Sequence, residues 1–461
     1  MATRRSLNAR KRSATGFSNL GGLLVAALIF LAPSFGTASV FNPAYFKLKN
    51  GFEVVVIENH RVPAVIQMLW YKVGAADEAP GQSGVAHLLE HLMFKGTQNT
   101  PAGEFSAFVR RHGGRENAFT SWDYTGYHQV VPRDQLGQAM AYEADRMRGL
   151  VLDEAEIESE RDVVLEEWNE RVAQSPSAQL SSEMGAVLFR NHPYGRPIIG
   201  WRHEIVGLNK RVLQAFYDRY YAPDNAVLVV AGDVTPEEVL ALAEEHYGAI
   251  PPSNNLPAPW TTEPPPRGEK QVVLRDERVS DPSWRRVYIA PSYRTAGSEH
   301  VLGLEVLSEI LGDRSVGRLT KSLVRGTEQA VAAGIYYSGD GRGPARFLVY
   351  GVPRGGVPLS ELEAAVDAQL SLLLTEGVSD EEVAAAVKRM LSAAVYARDD
   401  LETGARVLGE TLAVGGTIAD VEEWPDRLKQ VTAQDVMAAA RYVLQPERAV
   451  TGELLPKEPR S

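Results

Sequence analysis

His87, Glu90 and His91 form a His-x-x-Glu-His motif in a mostly apolar stretch of the sequence. The stretch predicts a short helix, which Ser83 is expected to cap and beyond whose end Gly96 is expected to lie. On a helix, the two histidines are one turn apart and project from the same face. Two imidazoles in this arrangement can hold one zinc ion, with Glu90 beside them and close to a water on the metal. The alternative is a chance pair of structural histidines.

A second, longer helix is expected to carry carboxylates on its buried face. Asp153 is the predicted cap of this helix, which extends to about Val172. The residues that share one face by their spacing are Glu160, Val163, Val164 and Glu167. Carboxylates on a buried face need a positive partner, and a zinc ion would be such a partner.

Composition excludes several classes of function. The chain has 461 residues, 44% hydrophobic and 23% charged, which is ordinary for a folded soluble protein long enough for two or three domains. The net charge of −11 argues against a nucleic-acid partner. The chain has no cysteine, so disulfides, thiol catalysis and cysteine-bound zinc are all excluded.

The N-terminal segment resembles a secretory signal. A basic region that includes Arg4, Arg5 and Arg10 precedes an apolar run from Leu20 to Leu31, and small residues follow. This order predicts a signal peptide over residues 1–38 with cleavage near Ala38, and a retained membrane anchor is the alternative. The mature protein is therefore expected to be periplasmic or secreted, without a stable membrane insertion.

The order of predicted elements indicates a duplicated fold. Strands and helices alternate through a first unit at residues 39–250, which contains the motif. A proline-rich linker follows at residues 251–270, and a fainter copy of the first unit occupies residues 271–461. In this copy the apolar helix Val301–Gly312 takes the place of the motif helix but lacks the histidines. We predict an α+β fold of two homologous α/β-sandwich domains, each an antiparallel-rich sheet covered by helices, related by a pseudo-two-fold duplication.

The chain resembles the M16 (pitrilysin, or inverted-zincin) metallopeptidases, in particular the short-subunit branch related to mitochondrial processing peptidase. The resemblance extends over most of the chain, roughly from Phe46 to Tyr442. Besides the His-x-x-Glu-His order, the motifs that carry it are His91-Leu-Met-Phe-Lys-Gly-Thr97, Gly113-Gly114, Asn117-Ala-Phe-Thr120, Asp123-Tyr-Thr125, Glu160-Arg-Asp-Val-Val-Leu-Glu-Glu167, His192-Pro-Tyr-Gly195 and Tyr221-Ala-Pro-Asp-Asn225.

The resemblance implies a zinc-dependent endopeptidase that hydrolyses oligopeptides inside an enclosed chamber. His87, His91 and Glu167 would bind one zinc ion per chain. Glu90 would take a proton from the attacking water and deliver it to the leaving amine. Glu160 would support the site from behind the ligands, as such partners orient and tune a metal.

The resemblance also implies how a peptide is held. In the family, the strand that corresponds to Asn117, Ala118 and Phe119 pairs with the backbone of an extended substrate. This mode reads peptides largely irrespective of their sequence. The alternative for Asn117 is a turn residue with no contact to a ligand.

The second half of the sequence departs from the family. Active members use an arginine and a tyrosine seven residues apart, and Val324 and Val331 stand at those positions here. Arg325 is one position away, and Tyr336 and Tyr337 would fit only after a register shift. Since a valine cannot donate to a developing oxyanion, the sequence predicts a heterodimer in which a homologous partner subunit supplies the pair. The alternatives are a self-sufficient homodimeric peptidase and a non-catalytic structural or assembly subunit.

Overall fold

Two β-sheets organise the part of the chain that the computed structural model describes, which comprises residues 40–254, 260–398 and 400–457. The strands in these residues are β1 (Ala44–Lys47), β2 (Glu53–Glu58), β3 (Ala64–Tyr71), β4 (Arg115–Thr120), β5 (Thr125–Pro132), β6 (Ala226–Gly232), β7 (Lys270–Asp276), β8 (Ser283–Ala290), β9 (Ala330–Tyr337), β10 (Ala345–Pro353) and β11 (Ala449–Pro456).

Helices pack on both faces of the sheets. They are α1 (Val85–Leu92), α2 (Glu104–Arg111), α3 (Leu136–Gly149), α4 (Glu154–Trp168), α5 (Pro176–Leu188), α6 (Arg202–Ile205), α7 (Lys210–Tyr220), α8 (Pro236–Tyr247), α9 (Val301–Gly312), α10 (Leu359–Glu376), α11 (Asp380–Ala397), α12 (Leu401–Ala413), α13 (Ile418–Glu422), α14 (Trp424–Leu428) and α15 (Ala433–Val443). A π-helical segment, Asn169–Ala173, continues α4, and a second one lies at Thr320–Gly326.

The two sheets have the same topology. The first has the order β1-β2-β6-β3-β5-β4, and the second has the order β7-β11-β8-β10-β9. Without β1, the first strand of each unit lies parallel to the fifth, and all other neighbours are antiparallel. The predicted α+β fold of two helix-covered sheets is therefore confirmed, and the repeated strand order agrees with a duplication. The boundaries near residues 250 and 271 stay a prediction.

The helices α1 and α9 hold equivalent places in the two units. Leaving β1 aside, each follows the second strand of its unit and precedes the third, as predicted for Val301–Gly312. Both are largely buried. The apolar face of α1 joins a core with β2, β3 and β6, and α9 lies in a second core with β8, β9 and β10.

Each half of the chain sends one helix across to the sheet of the other half. The helix α12 packs on β3 and β6, and α5 packs on β7 and β11. At both crossings a glycine allows the approach: a Cβ on Gly409 would lie 2.1 Å from Trp70 Nε1, and one on Gly452 would lie 2.1 Å from Met184 Sδ. The two cores are interlocked through these helices.

The expected caps of α1 are wrong. Gly84 rather than Ser83 is the N-cap, with a positive φ of 93°, and Ser83 Oγ instead accepts a hydrogen bond from Trp201 N. The helix ends at Leu92, so Gly96 follows after a further turn rather than directly. At the start of the helix the free N–H groups bond a side chain outside the helix, Glu78, and at its end local turn bonds, such as Lys95 N to Leu92 O, separate the helix from Gly96.

The predicted signal peptide at residues 1–38 lies outside the described residues. Among the residues that are described, none of the helices combines the length and the apolar character needed to cross a membrane.

Candidate metal centre

Three side chains converge between α1 and α4. His87 Nε2 lies 3.6 Å from Glu167 Oε2, and His91 Nε2 lies 3.4 Å from the same oxygen. One donor atom from each of the three residues lies within 4.8 Å of the others. Donors that surround zinc tetrahedrally at bonds of about 2.0–2.2 Å are about 3.4 Å apart. The spacing and the N, N, O donor set therefore fit a zinc ion with room for a fourth ligand.

The helix α4 presents its carboxylates to α1 through a narrower face than predicted. Glu160 and Val164 are buried and Glu167 is half-buried, but Val163 is 47% exposed. The expectation that Val163 shares the buried face is wrong, because a contact with a short helix covers only the stripe at positions 160, 164 and 167. Arg171 binds the other oxygen of Glu167, Oε1, at 2.8 Å.

Glu160 contacts His91, a predicted ligand, at the ring nitrogen Nδ1 rather than at Nε2. Its Oε2 lies 3.1 Å from His91 Nδ1, and its Oε1 lies 2.6 Å from Lys95 Nζ. The contact leaves His91 Nε2 directed towards Glu167. A carboxylate on the far nitrogen fixes the ring orientation and the tautomer of a metal-binding histidine.

Glu90 is buried next to the two histidines and separate from the three donors. Its Oε2 accepts a hydrogen bond of 2.6 Å from Thr120 Oγ1, at the end of β4. Burial raises the pKa of Glu90, and the hydrogen bond from Thr120 opposes this rise. The carboxyl group thus lies between the metal ligands and the edge strand, where a proton acceptor for water would be needed.

The protonation of the three donors reflects their mutual contacts. Burial lowers the pKa of His87 to about 4, which keeps its ring neutral and able to bind a metal. Burial also disfavours the charged form of His91, but the hydrogen bonds to Glu167 and Glu160 outweigh it and raise its pKa. The hydrogen bond from His91 lowers the pKa of Glu167.

A distant carboxylate holds the start of α1. Glu78 Oε1 accepts hydrogen bonds from Gly84 N at 3.1 Å and from Ala86 N at 3.0 Å. Burial raises the pKa of Glu78 to about 8, although these bonds oppose the rise. Because the first turn of a helix has unpaired N–H groups, Glu78 replaces the predicted side-chain cap and fixes the helix that carries both histidines.

Among the described residues the strand β4 is one of the two edges of the first sheet, with β1 at the other, and Asn117, Ala118 and Phe119 lie within β4. Ser121 N donates to Tyr124 O across the turn that follows, so the alternation of an antiparallel ladder directs Ala118 N away from β5. This N–H bonds Asn117 Oδ1 at 2.9 Å. The Phe119 ring packs against Trp70 and away from the edge, with ring centroids 5.0 Å apart.

The sequence thus identified the residues that meet, but not all of their partners. Thr120, Lys95 and Arg171 contact predicted site residues, and Glu78 holds the start of α1, but none of the four had an assigned role. For Lys95 and Arg171 a signal existed, since each lies four residues after a predicted ligand on its helix or the following turn. No local signal indicates Glu78, because its contact crosses a loop.

Family models match both halves of the chain. Residues 53–201 match the model described as Insulinase (Peptidase family M16), and residues 207–390 match the Peptidase M16 inactive domain. The two matches together include well over half of the 461 residues. The first contains His87, Glu90, His91 and Glu167, and the second contains α9.

Individual relatives agree with the family models. The chain is 34% identical over 282 residues to the zinc protease PqqE of Helicobacter pylori, a match that spans 60% of this chain and 62% of that protein. It is 28% identical over 412 residues to an uncharacterized zinc protease of Mycobacterium tuberculosis, spanning 88% and 92%.

Solved structures have the same fold. A protease from Helicobacter pylori superposes with a TM-score of 0.84 at 26% identity, covering 90% of this chain and 99% of that one. The periplasmic protease PqqL from Escherichia coli superposes with a TM-score of 0.74 at 20% identity, covering 90% and 47%, which is a likeness of fold alone. With the family models matched and a zinc-type donor set at the predicted place, the chain belongs to the M16 family of metallopeptidases.

Proposed function

We propose that this chain is a zinc-dependent endopeptidase subunit that hydrolyses oligopeptides at the site between α1 and α4. The observation that carries the proposal is the convergence of His87, His91 and Glu167, with the buried Glu90 beside them. A zinc ion bound by the three donors supplies Lewis acidity, which promotes ionisation of water and polarises a peptide carbonyl.

Glu90 is the proposed general base and acid. It takes the proton of the attacking water and transfers it to the leaving amine, which requires a carboxylate close to the metal ligands but not bound as one of them. Thr120 orients this carboxylate through its hydrogen bond of 2.6 Å. Burial raises the pKa of Glu90, which brings the group closer to the neutral range in which proton transfer in both directions is efficient.

Glu160 is the proposed support of the metal site. It holds the His91 ring from the Nδ1 side and is itself held by Lys95. We assign it a positioning role, because it contacts a ligand and not the proposed position of the substrate.

The open edge of β4 is the proposed site of peptide binding. An extended peptide would add as a further strand and accept a hydrogen bond from Ala118 N, displacing the amide oxygen of Asn117. Asn117 would thereby act as a placeholder for the substrate backbone. Phe119 would position the strand through its packing on Trp70, since its ring faces away from the edge.

A homologous partner subunit is proposed to complete the oxyanion site. Val331 is 55% exposed, and Val324 packs partly against the core of the second half. Tyr337 is buried and donates its hydroxyl to Pro291 O at 2.7 Å, so it is committed to the fold. No arginine–tyrosine pair with the family spacing occurs in the sequence from Arg318 to Tyr337. The pair would thus come from another chain, enclosing a chamber with this one.

Export is proposed from the N-terminal sequence. Residues 1–38 have the basic, apolar and small-residue regions of a signal peptide, and the E. coli protease of the same fold is periplasmic. Cell fractionation followed by N-terminal sequencing tests this: a mature chain beginning near Ser39 outside the cytoplasm supports export, and a full-length cytoplasmic chain refutes it.

Metal analysis and peptide hydrolysis test the enzyme assignment. The wild type should bind about one zinc ion per chain, and His91→Ala should lose the metal, whereas His203→Ala, on an exposed ring, should keep it. Glu90→Gln should retain zinc and lose hydrolysis by roughly 10²–10⁴-fold. A chain that binds no zinc, or a Glu90→Gln variant with undiminished turnover, would refute the proposed mechanism.

A reconstitution experiment tests the partner. The zinc-loaded chain alone should cleave peptides slowly, because loss of an oxyanion donor costs roughly 10²–10³-fold in rate. Addition of a homologous subunit that contains the arginine–tyrosine pair should restore the rate. Full activity of the isolated chain as a homodimer would overturn the requirement for a partner, while leaving the zinc site intact.

A further inference from the structure

A cavity of about 400 Å³ lies where the two halves meet. One wall is α5 of the first half, and the opposite wall is formed by β8, β9 and β10 of the second sheet. The turn Ser121–Tyr124, which directly follows β4, closes one side. Its volume lies within the range of small-molecule sites, which is about 300–1,000 Å³.

Two guanidinium groups that line this cavity, from β8 and β10, have only neutral hydrogen-bond partners among the described residues. Arg285 donates to Ser181 Oγ at 2.7 Å and to Ser177 Oγ at 2.8 Å. Arg346 donates to Tyr194 O at 2.7 Å and lies over the Trp122 ring, with its Cζ 4.3 Å from the ring centroid. Neither forms an ion pair with a carboxylate in the described part of the chain.

Two arginines elsewhere in the same half do have acidic partners. Arg286, next to Arg285 but on the opposite face of β8, pairs with Asp367 and Glu363. Arg318 pairs with Glu382 at 2.6 Å. Arg285 and Arg346 differ from these two in lacking a carboxylate partner within the described ranges. Burial lowers the pKa of Arg285 and brings that of Arg346 to about 10, since no carboxylate compensates for the lost hydration.

The carboxyl groups that line the cavity accept hydrogen bonds from groups other than these two arginines. Asp123 accepts from the Tyr194 hydroxyl at 2.6 Å, Glu410 accepts from the Tyr124 hydroxyl at 2.8 Å, and Asp340 accepts from Ser338 Oγ at 3.1 Å. The cavity thus has a basic wall, to which Arg285 of β8 and Arg346 of β10 contribute four positions apart along the paired strands, and acidic groups elsewhere. An anion is attracted to the basic wall only.

We propose that Arg285 and Arg346 form a carboxylate-binding subsite for the peptide substrate, an inference that rests on the proposed function and defines its substrate class. A peptide paired along β4 passes Thr120, which bonds Glu90, and the next residues of the chain, Ser121 and Trp122, line the cavity. Arginine forks bind carboxylates through paired N–H donors. The carboxylate comes from the C-terminus of the peptide or from an Asp or Glu side chain.

Gly185 offers a matched pair of variants. It lies in α5, and a Cβ at this position would be 3.7 Å from Arg346 Nη2, which is ordinary contact. Gly185→Asp therefore places a carboxylate of the protein itself beside the guanidinium and occupies the subsite. Gly185→Ala adds the same Cβ without the charge.

The experiment measures equilibrium binding rather than turnover. The full chain with Glu90→Gln is titrated with one short fluorescent peptide in four forms: free acid or amide at the C-terminus, each with Asp or Asn near it. Fluorescence anisotropy gives the dissociation constants. We expect at least one carboxylate form to bind about tenfold or more tightly than its neutral match, as for a charged hydrogen bond. The form that shows the preference identifies the source of the carboxylate.

The variants decide whether the preference arises in this cavity. Arg285→Met and Gly185→Asp should each reduce the preference to about twofold or less, and Gly185→Ala should keep it. Equal binding of all four peptides, or a preference that persists in Gly185→Asp, would overturn the proposal. If Arg285→Met does not fold, the comparison of Gly185→Asp with Gly185→Ala tests the proposal by itself. A wild-type chain that binds carboxylate peptides selectively but cleaves none, even after addition of a homologous subunit with the arginine–tyrosine pair, would refute the proposed function and leave this subsite standing.

Discussion

Each carboxylate around the histidine pair is distinguished by what it contacts. Glu167 faces the Nε2 atoms of both histidines, and Glu160 faces only Nδ1 of His91. Glu90 contacts Thr120 instead. Three acids within one small site repel one another, and Lys95 beside Glu160 and Arg171 beside Glu167 offset part of this repulsion. The separate contacts are consistent with the separate tasks that we propose for the three: ligand, support and proton carrier.

Substitution of Glu160, the proposed supporting residue, should weaken zinc binding without abolishing it. We expect Glu160→Gln to lower zinc affinity by about 10–100-fold, because the His91 ring loses its charged partner while all three ligands remain. Competition with a chelator of known affinity measures the change. Glu166→Gln is the control, since Glu166 bonds Asn169 at 3.1 Å and not a histidine. Equal losses in both variants would contradict the positioning role.

The sequence predicted the members of this site better than their surroundings. His87, Glu90 and His91 were identified from their spacing, and Glu167 from the family motif. Ser83 was assigned a cap that Glu78 provides, because only the folded loop brings Glu78 to Gly84 N. Local periodicity carries information about neighbours within one helix. It carries none about which side chain of a distant loop satisfies a backbone group.

At the scale of elements, the equivalent helices α1 and α9 have diverged in what they bury. In α1 the buried polar groups are His87 and Glu90. In α9 the half-buried Glu305 accepts hydrogen bonds on its carboxylate from Tyr293 at 2.7 Å and Trp424 at 3.1 Å. The second helix thus keeps an ionisable group but encloses it with neutral donors, which suits a structural role.

The enclosed Glu305 should make stability depend on pH. Burial raises its pKa from 4.5 to about 7, with Asp340 adding to the rise and Arg427 opposing it. A carboxyl group whose pKa is raised on folding stabilises the folded state fully below about pH 4.5. This stabilisation is lost as the pH rises through about 7. The loss is up to roughly 3 kcal/mol.

Glu305→Gln should remove this dependence, because an amide does not ionise. Urea unfolding at several pH values between about 4.5 and 8 measures the free energy of unfolding of both proteins. We expect the free energy of unfolding of the variant to increase relative to that of the wild type as the pH rises. Parallel curves would show that Glu305 does not titrate between folded and unfolded states in this range.

The edge strand β4 allows a test of peptide pairing. Ala118→Pro removes the outward N–H while leaving the hydrogen bonds to β5, and prolines are tolerated on edge strands. We expect kcat/KM for peptide hydrolysis to fall by about tenfold or more, the value of a lost substrate hydrogen bond in a confined site. Ala118→Ser keeps the N–H and should resemble the wild type. An active proline variant would remove β4 from the proposed binding mode.

Most elements could be predicted from the sequence. It could not be predicted that α5 and α12 each pack on the sheet of the other half. Strand and helix patterns are local, and α9 has the predicted bounds, Val301–Gly312. The pattern of α12 predicts an apolar face, which could cover either sheet. The choice depends on the shape of the surface it meets, in particular the space that Gly409 leaves for Trp70.

For the whole molecule, the exchanged helices join the two cores into one cooperative structure. Ala405, Leu408 and Leu412 of α12 share a core with Trp70 and strands of the first sheet. Leu180, Met184 and Leu188 of α5 share another with β8 and β11 of the second sheet. Neither half can unfold without exposing apolar surface of the other. We therefore expect unfolding to proceed without a stable separated half.

Gly409→Ala tests this coupling, with Gly404→Ala as its match on the same helix. Alanine favours a helix over glycine by about 0.5–1 kcal/mol, so both changes should stabilise α12 locally. At Gly409, however, the new Cβ would lie 2.1 Å from Nε1 of the fully buried Trp70, whereas at Gly404 it would meet only the ends of the Ile57 and Phe41 side chains at 3.1 Å. Overpacking typically costs about 1–3 kcal/mol.

The expected result is a loss of about 1–2 kcal/mol for Gly409→Ala and no loss for Gly404→Ala. Urea unfolding followed by tryptophan fluorescence and by far-UV circular dichroism measures both. The transition of Gly409→Ala should shift as a unit by both probes, since the seven tryptophans lie in both halves of the chain and circular dichroism reports the helices of both halves. A transition that splits, with the first sheet unaffected, would mean that α12 is not part of one cooperative core.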